Sequence, residues 1–379
     1  MRIDSTDNSK AGNDSVLELF FSLIRCGIGK EKELMSVPTP EEWEALFDIA
    51  RKHTLAGIAF NGIQSLPQEQ LPPKHILLQW YSISEKIKKQ SIELTKRAIA
   101  VSQKFREEGF GNCILKGQGI ARLYPVPELR TPGDIDIWVE GGCDRVLQYI
   151  RSITPDCKPT YHHVDFDILP DIDIEVHYRP TWMYSPAANR RLQKFFTRTQ
   201  AKEFGNTIDT PQGKLHAPTT AFNRVFIPIH IYRHLFDEGI GLRQILDYYF
   251  VLLQGFTEEE KAESRAQFRQ FGISRFMRAL MYVMKEIFDI DDEYLITEPN
   301  TKSGKFLLHE IMTAGNFGMY DPRYGQVGRG FTIPHFKSQA RRMSMLVTQY
   351  PTETFWSPFF KIWHYFWRKS HTGGLRERS

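Results

Sequence analysis

Apolar and acidic residues alternate in two short stretches of the chain. Residues 134–139 read Asp-Ile-Asp-Ile-Trp-Val, and residues 171–177 read Asp-Ile-Asp-Ile-Glu-Val-His. Successive side chains of a strand point to opposite faces, so Asp134 and Asp136 project together from the first stretch. One face of the second stretch carries four polar residues, namely Asp171, Asp173, Glu175 and His177. The pattern therefore predicts two strands, each with an acidic face.

Helical spacing of apolar residues dominates before and after these strands. Thr39 and Thr219 stand at positions where a threonine caps the first turn of a helix, and Pro40 fits the first helical position. A mixture of segregated helices and a few strands is typical of the α+β class. We predict a small mixed β-sheet flanked by helices, in a chain divided into an N-terminal helical region (1–110), a central domain (111–217) and a C-terminal helical domain (218–379).

A glycine-bearing turn precedes the first acidic strand. The apolar run that ends at Leu115 is followed by Lys116, Gly117, Gln118 and Gly119. A strand that enters a helix through such a turn directs backbone N–H groups towards an anion, and Lys116 can add a positive charge for a phosphate. The turn lacks the spacing of the Walker A loop and of the dinucleotide fingerprint, so it carries weight only together with the acidic strands.

Two carboxylates held close together on one strand repel each other. They are best tolerated where a hard cation such as Mg²⁺ binds them through oxygen. We expect a third carboxylate on a neighbouring strand, and we favour Glu175 because apolar residues flank it, whereas Asp171 begins its strand. The alternative is a solvated acidic face without a ligand. The predicted metal ligands are therefore Asp134, Asp136 and Glu175.

These segments together resemble a known family, the nucleotidyltransferase superfamily that shares its fold with DNA polymerase beta. The resemblance is closest to its uncharacterised bacterial branch and covers roughly 70 residues, the size of one small sheet unit. The motifs of that branch are a Leu-Lys-Gly turn, an Arg-x-x-Gly-Asp-Ile-Asp strand and a later Glu-x-His-x-Arg; here they are Leu115 to Gly117, Arg130 to Asp136, and Glu175 to Arg179. Gln118 departs from the Gly-Gly or Gly-Ser of many members.

The resemblance implies transfer of a nucleoside monophosphate from an NTP to an unknown acceptor, with release of pyrophosphate. It implies two Mg²⁺ ions on the three carboxylates, which would be the catalytic residues. It also implies nucleotide contacts from the remaining motif residues and from a Gly-Leu-Arg segment of the C-terminal domain, namely Lys116, Gly117, Gln118, Arg130, His177, Arg179 and Arg243. For Arg243 the alternative is an i,i+4 pair with Asp247 that supports its helix.

The sequence is also compatible with two other functions. One is a catalytically inactive nucleotide-binding regulatory module, which the unusual Gln118 would favour. The other is a toxin-like nucleotidyltransferase that modifies tRNA. The 49 basic and 45 acidic residues give a net charge of +4, which leaves nucleic acid possible without indicating it.

The cysteines and the N-terminal residues indicate the cellular compartment in which we expect the protein. Four widely spaced cysteines without a CxxC pair predict neither a disulfide framework nor a zinc site, and they fit a reducing environment. The polar N-terminus lacks a signal-peptide core, and we expect a cytoplasmic protein. Residues 315–330 are rich in glycine and contain Arg323 and Arg329, which is typical of a surface loop or of a lid over an anionic substrate.

Aromatic residues recur at helical spacing near the C-terminus, from Trp356 to Trp367, with basic residues among them. An aromatic helix with basic residues can lie on a membrane surface. Such a stripe more often packs against its own domain. The sequence is compatible with both interpretations.

Overall fold

The computed structural model describes residues 5–321 and 333–372, and the side chains of residues 15–316, 318–321 and 340–372. Its fold is α+β, as predicted. The helices are α1 (Ser5–Gly27), α2 (Pro40–Lys52), α3 (Ala56–Ile63), α4 (Lys74–Glu107), α5 (Gly117–Ala121), α6 (Gly142–Ile153), α7 (Pro186–Gly205), α8 (Thr220–Asp237), α9 (Leu242–Leu252), α10 (Glu258–Phe271), α11 (Ser274–Phe288), α12 (Thr301–Ala314), α13 (Ile333–Leu346) and α14 (Pro351–Thr372). The strands are β1 (Asn112–Leu115), β2 (Ile135–Val139), β3 (His163–Asp165), β4 (Ile174–His177), β5 (Thr207–Thr210) and β6 (Gly213–His216).

Four of the strands form one mixed sheet in the order β1-β2-β4-β3. Strand β2 runs antiparallel to β1 and parallel to β4, and β3 is antiparallel to β4. The parallel register sets Asp136 directly opposite Glu175. Strand β4 begins only at Ile174, so it is shorter than the alternating run 171–177 predicted, and Asp171 instead pairs with Arg97 of α4.

The two faces of this sheet have different partners. Ile135, Ile137 and Val176 lie in an apolar core shared with α4 and α6. The intervening side chains point the other way, and Trp138 stacks on Phe222 of α8 at a ring separation of 5.6 Å. The acidic positions of β2 and β4 share this second face, so they lie between the sheet and the C-terminal helices.

Local signals in the sequence located several helix starts. The Thr39 hydroxyl accepts a hydrogen bond from the backbone N–H of Glu42 in a complete capping box, and Thr219 accepts one from Phe222. Both caps are confirmed. The N-terminal helices share one apolar core with the C-terminal helices. The three-part division of the chain stays a prediction.

Helix α14 packs through one side only. Its Phe360 contacts the rings of Tyr161, Trp182 and Tyr184. Trp363 contacts Tyr161 beside it and is partly exposed. The rest of the helix surface exposes further large apolar residues, namely Phe355, Phe359, Ile362, Tyr365 and Phe366. Contact of this face with a membrane surface stays a prediction. Among the residues that the structure describes, no helix is both long and apolar enough to cross a bilayer.

Most of the glycine-rich segment, including Arg323 and Arg329, lies outside the described residues.

A buried ion pair joins the segment before β2 to helix α9. The Nε and one terminal nitrogen of Arg130 each donate to a different carboxylate oxygen of Asp247 at 2.7 Å, and the Tyr124 hydroxyl donates to the same carboxylate at 2.6 Å. Both charged side chains are almost fully buried. A bidentate pair of this kind fixes the position of both elements.

We predict that Asp247→Ala strongly destabilises the fold. It leaves the Arg130 guanidinium buried without its counter-charge, which typically costs about 3–5 kcal/mol of unfolding free energy. Denaturant-induced unfolding followed by circular dichroism measures the change. The matched control is Asp171→Asn, which breaks the exposed pair with Arg97 and should leave the midpoint nearly unchanged. Equal midpoints for the two variants would contradict the proposed anchoring role.

Candidate active site

The structure brings three carboxylates together at one edge of the sheet face. Asp136 lies in β2, Glu175 lies opposite it in β4, and Asp134 immediately precedes β2. One oxygen from each side chain lies within 4.8 Å of the other two. Asp136 is buried, Glu175 is half-buried and Asp134 is exposed. The group therefore opens to solvent on the Asp134 side.

Lys116 is held against the most buried of these acids. It forms the junction between β1 and α5 with a φ of 51°, a backbone conformation that costs a non-glycine residue about 1 kcal/mol or more. Its Nζ lies 2.9 Å from Oδ1 of Asp136 and 3.2 Å from Nε2 of His230 in α8. Burial lowers the pKa of Lys116, but the carboxylates of Asp136, Asp134 and Glu175 outweigh burial and raise it overall. Lys116 is therefore charged at neutral pH.

His177 bridges two of the carboxylates. Its Nε2 lies 2.8 Å from Oδ1 of Asp136 and 3.2 Å from Oε2 of Glu175. Burial lowers the pKa of this imidazole, yet hydrogen bonds to the two acids prevail and raise it to about 9. A protonated His177 and Lys116 together supply two positive charges to the acidic group.

The three acids consequently differ in their tendency to ionise. Burial acts to raise the pKa of Asp136, but Lys116 and His177 overcome it and hold that pKa far below its ordinary value. The pKa of Asp134 rises to about 6, mainly because the Asp136 carboxylate repels its negative charge. Asp134 is thus the least compensated acid of the group, and a cation binding beside it would relieve the repulsion.

Two of the predicted nucleotide-binding side chains turn away from the carboxylates. The Gln118 amide donates to the Thr95 hydroxyl at 2.5 Å and to the Ser91 carbonyl at 3.1 Å, which anchors α5 to α4. Arg130 is engaged by both oxygens of Asp247. A nucleotide contact through either side chain would require these buried bonds to break. Local sequence motifs did not reveal this, because the partners lie far away in the chain.

Arg243 and Arg179 hold backbone segments that border the site. Arg243 donates to the carbonyl oxygens of Thr131 at 2.8 Å and Pro132 at 3.3 Å, in the segment that leads into Asp134. Asp247 binds Arg130, so the helix-supporting pair between Arg243 and Asp247 is not the arrangement observed. Arg179 donates to the carbonyl of Tyr161 at 2.7 Å. Gly117 follows Lys116 in the turn with a φ of 36°, a region that favours glycine.

The structure adds two histidines to the predicted residues. His163 in β3 pairs with His177 across the sheet, and its Nδ1 lies 3.3 Å from Oε2 of Glu175. His230 reaches Lys116 from α8. The adjacent His162 and His163 were a visible signal in the sequence. The approach of His230 depends on how α8 packs over the sheet.

Comparison with known proteins places the chain in a family. Residues 39–289, well over half of the chain, match the protein family described as "Uncharacterised nucleotidyltransferase". The chain therefore belongs to this nucleotidyltransferase family, as its motifs predicted. No protein of curated function matches it.

One solved structure that shows similarity is that of an antigenic nucleotidyltransferase-like protein from Paracoccidioides brasiliensis. The two chains share 12% sequence identity over 58% of this chain and 97% of that chain, with a TM-score of 0.32. A similarity of this size supports no conclusion about the function of the chain.

We predict that Asp134→Asn stabilises the metal-free protein at neutral pH. The folded-state pKa of about 6 lies above the ordinary 3.8, so the ionised carboxylate destabilises the folded state above about pH 6. Below pH 3.8 the carboxyl is protonated in both states and the penalty disappears. Denaturant unfolding at several pH values should show a gain in free energy that shrinks with falling pH.

The control for this experiment is Asp171→Asn. A hydrogen bond from Arg97 lowers the pKa of Asp171, but both side chains are exposed, so this substitution should not stabilise the protein at any pH. A stabilising effect of Asp134→Asn that does not depend on pH would contradict repulsion between the carboxylates.

Proposed function

We propose that this protein is a divalent-metal-dependent nucleotidyltransferase. It would move a nucleoside monophosphate from an NTP to a hydroxyl, amine or phosphate acceptor, with release of pyrophosphate. The observation that carries the proposal is the convergence of Asp134, Asp136 and Glu175 on one sheet face in a chain whose family is nucleotidyltransferase. Lys116, which contacts this group, adds a positive charge suited to a polyphosphate.

The donor set fits a hard cation. Carboxylate oxygens are the ligands that Mg²⁺ prefers, and the uncompensated charge at Asp134 favours binding of a cation. When bound, two Mg²⁺ ions would activate the acceptor and stabilise the leaving pyrophosphate. Asp134 and Asp136 would hold both ions, and Glu175 would hold the one nearer the acceptor.

The protein's own side chains would position the nucleotide and balance its charge. In the reaction, a bond forms between the deprotonated acceptor and the α-phosphorus while the bond from that phosphorus to the bridging oxygen breaks. Negative charge therefore accumulates on the leaving pyrophosphate. Lys116 can exchange Asp136 for a phosphate oxygen as the carboxylate takes up the cation. His177 keeps Asp136 and Glu175 in mutual register through one ring nitrogen.

The position of Gln118 bears on the alternative of an inactive nucleotide-binding module. That alternative rested on an unusual residue in the turn after β1. Because the Gln118 side chain binds Thr95 and Ser91 of α4, its presence leaves the carboxylates in place. Gln118 therefore no longer supports the inactive alternative. The tRNA-modifying alternative differs only in the acceptor, and nucleic acid stays a possible acceptor.

We predict that the protein binds a non-hydrolysable NTP in the presence of Mg²⁺ and that Asp134→Asn weakens this binding. The substitution leaves Lys116 and His177 paired with Asp136, so the fold should survive it. Loss of one metal ligand should weaken Mg²⁺-supported binding by about tenfold or more, which corresponds to about 1.4 kcal/mol. Isothermal titration calorimetry with and without Mg²⁺ measures the difference. Pyrophosphate release from α-labelled NTPs with hydroxyl, amine, phosphate and tRNA acceptors then tests turnover.

The matched control is Asp171→Asn. It removes an acid from the run that contains Glu175, but this acid pairs with Arg97 and lies outside the group of three carboxylates. It should bind the nucleotide as the wild-type chain does. Undiminished magnesium-supported binding in the double variant Asp134→Asn, Asp136→Asn would remove the proposed metal site. Binding without any turnover would favour the regulatory module.

A further inference from the structure

A second group of potential ligands lies beside the carboxylates and contains mainly nitrogen. One atom from each of His162, His163, His177 and Glu175 lies within 4.8 Å of the corresponding atoms of the others. The antiparallel register of β3 and β4 sets His163 opposite His177, and His162 directly precedes β3. The sheet itself thus brings three imidazoles and one carboxylate to one place.

We propose that these four side chains form a binding site for a borderline-soft divalent cation such as Zn²⁺, distinct in chemistry from the oxygen-only group of Asp134, Asp136 and Glu175. Imidazole nitrogen is a preferred ligand of Zn²⁺, whereas Mg²⁺ prefers oxygen. The two groups share only Glu175. The proposal goes beyond nucleotidyl transfer and does not depend on it.

The distances between the ligand atoms suit such an ion. Zn²⁺ binds imidazole nitrogen and carboxylate oxygen at about 2.0–2.2 Å, which sets neighbouring ligands of a tetrahedron about 3.3–3.5 Å apart. Here Oε2 of Glu175 lies 3.3 Å from Nδ1 of His163 and 3.2 Å from Nε2 of His177. The contact between Nε2 of His162 and Nδ1 of His163 is shorter, at 2.8 Å. A ligating imidazole nitrogen must offer a lone pair, so the ion would replace the proton that Nε2 of His177 shares with Asp136 and Glu175 and the proton between the rings of His162 and His163. The rings of His162 and His163 would also have to rotate apart.

The hydrogen bonds of Thr160 orient His162 as a ligand. The Thr160 hydroxyl donates its proton to the carbonyl of His163 at 3.0 Å, so towards Nδ1 of His162, 3.2 Å away, it acts as an acceptor. The proton of His162 therefore belongs on Nδ1, which leaves the lone pair of Nε2 directed towards the other ligands. A hydrogen bond of this kind on the far ring nitrogen is a regular feature of metal-binding histidines.

Neighbouring side chains also restrict the movement of the three imidazole rings. Nε2 of His163, on the far side of the ring from Nδ1, lies 3.7 Å from a carboxylate oxygen of Asp165. The His162 ring packs on Trp182 with 4.0 Å between the ring centres, and His177 is buried. Rigid, largely buried ligands lose little freedom when an ion binds. An exposed surface cluster of histidines would lack this preorganisation.

Cobalt binding to the full-length, chelator-treated protein tests the proposal. Co²⁺ substitutes for Zn²⁺ and gives visible absorption bands whose intensity reports a four- or five-coordinate site with nitrogen ligands. We expect one equivalent of Co²⁺ to bind, to be displaced by one equivalent of Zn²⁺, and to persist in excess Mg²⁺. His163→Ala and, separately, His162→Gln should each weaken binding by about tenfold or more, or 1.4 kcal/mol.

Two variants serve as controls. His75→Ala removes an exposed histidine of α4, and Asp134→Asn removes an acid that belongs only to the oxygen group. Both should retain the cobalt bands. Circular dichroism establishes that each variant is folded, and His162→Gln carries the test if His163→Ala does not fold.

The proposal is overturned by any of three results. The wild-type chain could fail to bind Co²⁺ or Zn²⁺. Both histidine variants could bind the ion as tightly as the wild-type chain does. Asp134→Asn could abolish the bands, which would assign the ion to the oxygen group. Because no nucleotide is present, none of these results decides whether the protein transfers nucleotides.

Discussion

Repulsion between carboxylates is the constraint around which this part of the molecule is built. The parallel register of β2 and β4 sets Asp136 directly against Glu175, and Asp134 lies at the start of the same strand. Lys116 and His177 supply positive charge to the buried Asp136, but the pKa of Asp134 is still raised to about 6. The metal-free arrangement is therefore only partly neutralised. A site that carries such residual repulsion is suited to accept cations.

The helical part of the chain holds this arrangement in place. Helix α9 anchors the segment before β2 through the buried pair of Arg130 and Asp247 and through the bonds from Arg243 to the carbonyls of Thr131 and Pro132. Helix α8 approaches Lys116 through His230. The second face of the sheet would otherwise lie open to water. Under these helices Asp136 is removed from water, which strengthens its electrostatic interactions with Lys116 and His177.

Much of this arrangement follows from short-range sequence patterns. Alternation of apolar and acidic residues sets the acids of each strand on one face of that strand. The parallel pairing of β2 and β4 then brings Asp136 opposite Glu175. Threonine caps likewise depend on only a few neighbouring residues, and Thr39 and Thr219 are confirmed. The family resemblance is confirmed as well. The side-chain partners were less predictable. Arg130 and Asp247 are 117 residues apart, and no local pattern connects them. The motif suggested that Arg130 contacts a phosphate, whereas in the structure Arg130 binds the carboxylate of Asp247.

The most direct test of the account is a crystal structure of the protein soaked with Mn²⁺ and a non-hydrolysable NTP, with the metal located by its anomalous scattering. The account predicts metal density between the carboxylates of Asp134, Asp136 and Glu175, with the triphosphate oxygens on its open side. Density elsewhere in the molecule, or a Glu175 carboxylate on the opposite face of the sheet from Asp136, would contradict it.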